Sequence, residues 1–241
     1  MYVSRPMGSS SSRSSSSFSR GRLFVIAAPS GAGKTSLVNA LLRRKPDLHV
    51  SVSYTTRKRR PTEEDGREYH FISVPEFQQL ATQGQFLEHA QVFDNFYGTG
   101  RRPVETELAR GNNVILEIDW QGARQVRKAL PECVTVFVLP PSRRALEDRL
   151  RNRRTDSEEV IARRLRDAVG DMSHWDEFDY VVINDDFERA VDDLVRIVES
   201  SDAEPDSTGH AEASGEQGER GAASLRAARP GLKALLADLL G

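Results

Sequence analysis

The stretch Ala28-Pro29-Ser30-Gly31-Ala32-Gly33-Lys34-Thr35-Ser36 decides the fold, because the apolar run Leu23-Phe24-Val25-Ile26-Ala27 precedes it and Leu37-Val38-Asn39-Ala40-Leu41-Leu42 follows at helical spacing. A buried strand, a turn of small residues and a helix are the context of a phosphate-binding loop. Polyphosphate oxygens must be met by several backbone N–H groups at once, and side chains larger than a methyl obstruct that approach. Gly31 and Gly33 supply the freedom, and the helix aims its positive end at the same spot. Lys34 adds a mobile cation for the outer phosphates, and Thr35 offers a hydroxyl to a magnesium ion. The usual pattern opens with glycine where Ala28 stands, and alanine's poor tolerance of positive φ predicts ordinary strand-end dihedrals there. The competing reading, a glycine-rich turn that binds nothing, has Lys34 and Thr35 in register against it.

A chain of 241 residues with 38% apolar content can bury one sizeable core. Its formal net charge of −2 gives no whole-molecule case for a nucleic-acid or membrane partner. Cys133 lies in an apolar run, where a buried structural thiol is expected. With no disulfide framework or zinc-ligand spacing, a reducing cytoplasm is the expected location. No apolar run approaches membrane-spanning length.

Half of residues 1–20 are serine, with Arg5, Arg13 and Arg20 and no acid, which predicts a disordered extension. An organelle transit peptide is the alternative, although its apolar residues are too few to make one helical face. Val50 to Arg57 alternates and reads as a strand ending in polar groups. Arg57, Arg60 and Glu63 then recur every three residues, and Tyr69 opens a short strand to Ser73. Two guanidinium groups beside phenol and serine hydroxyls suit a second, terminal phosphate; a solvated basic loop is the plainer reading.

Val74–Leu80 reads as a helix, Gly84–Val92 as a strand and Asn95–Thr99 as a turn carrying a phenol and a hydroxyl. Val114 to Asp119 is a buried strand ending in carboxylates, the edge at which ligands gather in nucleotide-binding α/β domains. Cys133–Leu139 and Asp179–Asp186 read as further strands. Between them a helical segment carries Arg143, Arg144, Arg149, Arg151, Arg153, Arg154, Arg163, Arg164 and Arg166. It reads as a lid over a transferring group or, alternatively, as a solvated hairpin. Phe187–Val198 is a closing helix, residues 201–228 read as a flexible linker, and residues 229–241 place five leucines at helical spacing. That stripe is expected on the chain's own core or on a sister subunit in a homo-oligomer, ahead of a membrane.

Five segments in order resemble guanylate kinases: Ala28–Thr35, Ser53–Glu63, Asn95–Thr99, Leu116–Gly122 and Val182–Asp186. The resemblance spans about Arg22 to Ser200 and implies an α/β fold: a P-loop kinase core with a central parallel sheet (21–52, 100–142 and 171–200), an inserted small mixed α+β GMP-binding lobe (53–99) and a helical lid (143–170). It implies Mg-dependent phosphoryl transfer from the co-substrate ATP to GMP or dGMP. On these positions, Ala28, Pro29, Ser30, Gly31, Ala32, Gly33, Lys34, Thr35, Ser36 and Asn184 hold ATP. Ser53, Arg57, Arg60, Tyr69 and Tyr97 hold the GMP phosphate, with Glu63 bracing the arginines. Glu88 and Thr99 read guanine, with Asp119 and Glu117 in the same set. By the same resemblance, Lys34, Arg57, Arg149, Arg153 and Arg164 are expected to be the catalytic cations. Glu117 stands where the family often has aspartate, and Arg154 where glycine is common. The alternative is a non-catalytic interaction module of the same fold.

Overall fold

The computed structural model describes residues 20–92, 94–151, 158–202 and 231–241. Unbroken apolar runs make strands buried on both faces, which is the signature of a parallel sheet covered by helices. β1 (Leu23–Ala27) is buried at every residue and sits at the centre of a parallel sheet. Around it lie β2 (His49–Val50), β7 (Val114–Ile118), β8 (Val134–Leu139) and β9 (Tyr180–Ile183), in the order β2-β7-β1-β8-β9. Successive β1 side chains alternate between two cores. Phe24 and Ile26 meet Leu37 and Leu41 of α1 (Lys34–Arg44) and Leu194 and Ile197 of α7 (Phe187–Asp202). On the opposite face Leu23, Val25 and Ala27 share a cluster with α3 (Arg101–Ala109), α4 (Trp120–Ala129), α5 (Arg143–Arg151) and α6 (Glu158–Met172).

A second, four-stranded sheet runs in the order β4-β3-β6-β5, from β3 (Tyr54–Thr55), β4 (His70–Phe71), β5 (Phe86–Val92) and β6 (Asn95–Gly100). It is covered by α2 (Val74–Thr82), which starts with a Ser73/Glu76 capping box. Phe77 of α2 stacks on Phe86 and Phe96, ring centroids 4.6 and 5.4 Å apart. Two sequence expectations are corrected in this sheet. Val50–Arg57 is not one strand: the chain leaves the parallel sheet after Val50 and enters the second sheet at Tyr54, so alternation continues across a change of partner. Asn95–Thr99 is not a turn but most of β6, and the chain reverses between Val92 and Asn95. Gly98 mimicked a turn signal, yet a Cβ there would lie 3.1 Å from Phe86 Cδ1, so the glycine serves close strand packing.

α7 extends through Asp202, two residues into the expected linker. The expected extension before Arg20 and the rest of the linker lie outside the described residues. Cys133 is buried, and burial pushes its thiol up to about 11, in keeping with a structural role. Among the described residues no helix is long and apolar enough to cross a membrane.

The leucine stripe forms α8 (Leu232–Leu240) and docks on the chain's own core. Leu232 and Leu239 are buried with Leu146, Ile161 and Met172, while Asp238 accepts from the backbone N–H of Arg143 at 2.9 Å, at the start of α5. Leu239→Ala should therefore cost about 2–3 kcal/mol, the lower range for truncating a buried leucine. Urea unfolding measures it, and an unshifted midpoint would contradict the docking of α8.

Candidate active site

All five parallel strands point their carboxyl ends to one edge, so the chain segments leaving them converge there. The loop after β1 turns at Gly31 (φ 91°) and Gly33 (φ 93°), in the left-handed region. Its outward carbonyl, Ala32 O, accepts from Asn184 Nδ2 at 2.7 Å and from Arg149 Nη1 at 3.1 Å, while Arg149 Nη2 donates to Asn184 O at 3.1 Å. A Cβ on Gly33 would lie 2.5 Å from Asn184 Nδ2, so this brace requires glycine. With that carbonyl held by two side chains, the loop can turn N–H groups toward a ligand. Gly33 caps α1 without a side-chain hydrogen bond, leaving first-turn N–H groups for an anion. Gly31, Gly33, Ser36, Arg149, Asn184, Asp185 and Phe187 line a cavity of about 390 Å³ on this side, the size of a small-ligand site.

Register places Glu117 of β7 beside Ile26 of β1, and hence next to the loop. Glu117 Oε2 accepts from Thr35 Oγ1 at 3.1 Å and lies 3.7 Å from Lys34 Nζ. The longer arm of glutamate thus reaches the loop lysine and hydroxyl directly. Burial lowers the Lys34 pKa, and the charges of Glu117, Asp119 and Glu88 act against that shift. Asp119 caps α4, accepting from Gly122 N at 2.8 Å, and burial raises its pKa.

Glu88 is the group whose ionisation the fold perturbs most usefully. It lies opposite Thr99 in the β5/β6 ladder, accepts from Thr99 Oγ1 at 2.6 Å and is 3% exposed. Burial pushes its pKa up to about 7; the Thr99 hydrogen bond opposes this and the Asp119 charge adds to it. The raised pKa marks a carboxyl held where charge is costly until suitable donors arrive.

The arginine-rich segment folds around one carboxylate. Arg57 donates bidentately to Glu63, Nη2 to Oε1 at 2.8 Å and Nη1 to Oε2 at 3.0 Å, and Arg60 N donates to Oε2 at 2.8 Å. These contacts hold Glu63 below the usual carboxylate range. Arg57 Cζ lies 5.4 Å from the Tyr69 ring centroid, and the Tyr69 and Tyr97 rings are 5.9 Å apart. Glu63 and a Lys58 carbonyl take three of the five guanidinium N–H groups of Arg57, leaving two for an anion. Arg60 is mostly exposed, and Ser53 is half-buried where the chain enters the second sheet. Tyr69 lies within electrostatic reach of Glu117, and Lys34 within that of Glu88.

Arg149 is engaged with the loop's backbone. Arg164 is half-buried on α6 with interactions of its own, and Arg153 lies outside the described residues. Sequence reading missed the capping role of Asp119, although an aspartate just before a helical pattern is an N-cap signal. It also missed the stack of Trp120 on His174, centroids 3.6 Å apart, and the bond from Trp120 Nε1 to Asp171 at 3.0 Å.

A family model described as Guanylate kinase matches residues 20–201. A guanylate kinase of Methylococcus capsulatus is 57% identical over 181 residues, covering 75% of this chain and 89% of the relative. One from Alkalilimnicola ehrlichii is 58% identical over 177 residues, covering 73% and 87%. The crystal structure of guanylate kinase from Anaplasma phagocytophilum aligns with a TM-score of 0.64 at 34% identity, covering 76% of this chain and 86% of that one. α8 lies beyond the matched span.

The raised Glu88 pKa carries a stability signature. Between the unfolded value near 4.5 and about 7, the native state holds a proton that the unfolded chain releases, so stability falls as pH rises through that window. Glu88→Gln removes the penalty. It should stabilise the protein at pH 8 by up to about 3 kcal/mol and much less at pH 5, read as urea midpoints; an equal gain at both would contradict the raised pKa.

Proposed function

The chain belongs to the guanylate kinase family and transfers a phosphoryl group from ATP to GMP, and from that premise we propose how its residues divide the work. The loop from Ala28 to Ser36 holds the ATP phosphates, with Asn184 and Arg149 fixing its shape through the Ala32 carbonyl. The segment 53–99 forms the GMP lobe: Arg57, Arg60, Tyr69, Tyr97 and Ser53 take the phosphate, and Glu63 keeps the Arg57 fork aimed. Glu88, Thr99 and Asp119 read the base.

The observation that carries this reading is the position of Glu88, buried within the electrostatic reach of Lys34 and Asp119 and held by Thr99. Guanine presents N1–H and an exocyclic amine to one carboxylate, whereas adenine has an acceptor at N1 and no amine on that edge. Donors from guanine favour the ionised form of Glu88, which burial disfavours. The GMP phosphate is itself an anion, so the acceptor needs no general base. What the protein must do is align two repelling anions and neutralise the equatorial oxygens in flight. Lys34, Arg57 and the arginines of the 143–170 segment supply that charge.

The donor set suits magnesium. The Thr35 hydroxyl and the Glu117 carboxylate are hard oxygen donors 3.1 Å apart beside the loop. Among the described residues no group of three or more His, Cys, Asp or Glu could hold a metal, so the phosphates and water would complete the shell. A magnesium ion, when bound there, adds positive charge to the transferring phosphoryl group. The interaction-module alternative has no support from the relatives, and Lys34 and Thr35 stand in a formed loop.

Lys34→Met should lower kcat by about 10³-fold or more, the loss typical of a missing cation in phosphoryl transfer, while the thermal midpoint stays within a few degrees. A coupled ADP-release assay with GMP, dGMP, AMP and UMP checks the acceptor at the same time. Near-normal turnover by the variant, or AMP used as well as GMP by the parent protein, would overturn the assignment.

A further inference from the structure

Gly122, the third residue of α4, has ordinary helical backbone, so its conformation does not require glycine. Alanine is the better helix former at such a position. The space around it gives another reason. A Cβ built on Gly122 would lie 2.6 Å from Glu88 Oε2, 3.1 Å from Glu88 Cδ and 3.2 Å from Ile118 Cδ1. Gly170, the helical glycine of α6, has nothing within 4 Å of the same construction. The Gly122 N–H also donates to Asp119 Oδ1 at 2.8 Å.

We propose that Gly122 is a specificity-positioning residue: its missing side chain is the space that the Glu88 carboxylate occupies, and its N–H fixes Asp119 beside it. The proposal rests on Glu88 as the group that reads guanine. A methyl at position 122 meets the far end of a flexible side chain, which can swing, rather than backbone, which cannot. The fold therefore survives while Glu88 is displaced by somewhat less than about 1 Å, a shift that can cost two orders of magnitude where hydrogen-bond geometry sets the rate. ATP, held at the loop, is not touched by this displacement.

The experiment compares Gly122→Ala, Glu88→Ala and the double variant by steady-state kinetics on GMP and ATP and by thermal melting. The proposal expects G122A to lose about fivefold or more in kcat/KM for GMP, with KM for ATP within about twofold and an equal or higher melting midpoint. In the Glu88→Ala background the same change should have little further effect, because the group it displaces is gone. A smaller loss, a parallel loss for ATP, or an undiminished further loss in the double variant overturns the proposal. If Glu88→Ala alone leaves GMP use intact, the guanine-reading role of Glu88 falls and takes the proposal with it. If G122A fails to fold, recovery of folding in the double variant supports an overlap with Glu88, and no recovery overturns it.

Discussion

The structure depends on the parallel pairing of β1 with β7 on one side and β8 on the other. Registers of Ala27 with Ile118 and with Phe137 bring the strand ends to a single edge. Four segments leave the sheet there, and each brings one kind of group: the loop its backbone N–H donors, Glu117 and Asp119 their carboxylates, α5 its Arg149, and the end of β9 its Asn184. Antiparallel pairing would send alternate strand ends to opposite edges and separate these groups. The cost of a parallel arrangement is crossover helices, and those helices cover both sheet faces and build the two cores.

A site proposed for two anionic nucleotides that includes Glu88, Glu117 and Asp119 looks self-defeating. The surroundings of each acid resolve the conflict. Glu117 is occupied by Thr35 and Lys34, and Asp119 is turned into the first turn of α4. Glu88 is buried far enough that its charge is held back near neutral pH. Glu63 spends its charge on Arg57 and Arg60, leaving the outer side of the guanidinium for phosphate. The acids thus order cations and donors, and in the proposed reading donors from the base would favour the charged form of Glu88 that burial holds back near neutral pH.

The parallel sheet was legible because strands covered on both faces are written as unbroken apolar runs, and Leu23–Ala27, Val114–Ile118 and Val134–Leu139 fall within a residue of where their runs place them. The loop was legible because glycine, lysine and threonine must stand in fixed register around a phosphate. The second sheet was harder to read. Its strands at Tyr54–Thr55 and His70–Phe71 are two residues long, too short for any period to register. Contacts such as Asn184 with Ala32 O, 152 residues apart, leave no local trace, and neither does the fit of Glu88 against Gly122. The leucine stripe was readable as a helix needing cover, while the choice of the chain's own core depended on where α6 and α5 stand.

The central claim is that ATP and GMP lie end to end in one cleft, phosphates meeting between Lys34 and Arg57. Calorimetric titration with adenosine and guanosine joined through a 5′,5′-polyphosphate bridge tests it directly, since one molecule would fill both pockets. The account predicts one linked molecule per chain, bound about a hundredfold or more tighter than ATP or GMP alone. Two molecules per chain, or an affinity no better than that of the stronger single nucleotide, would contradict it.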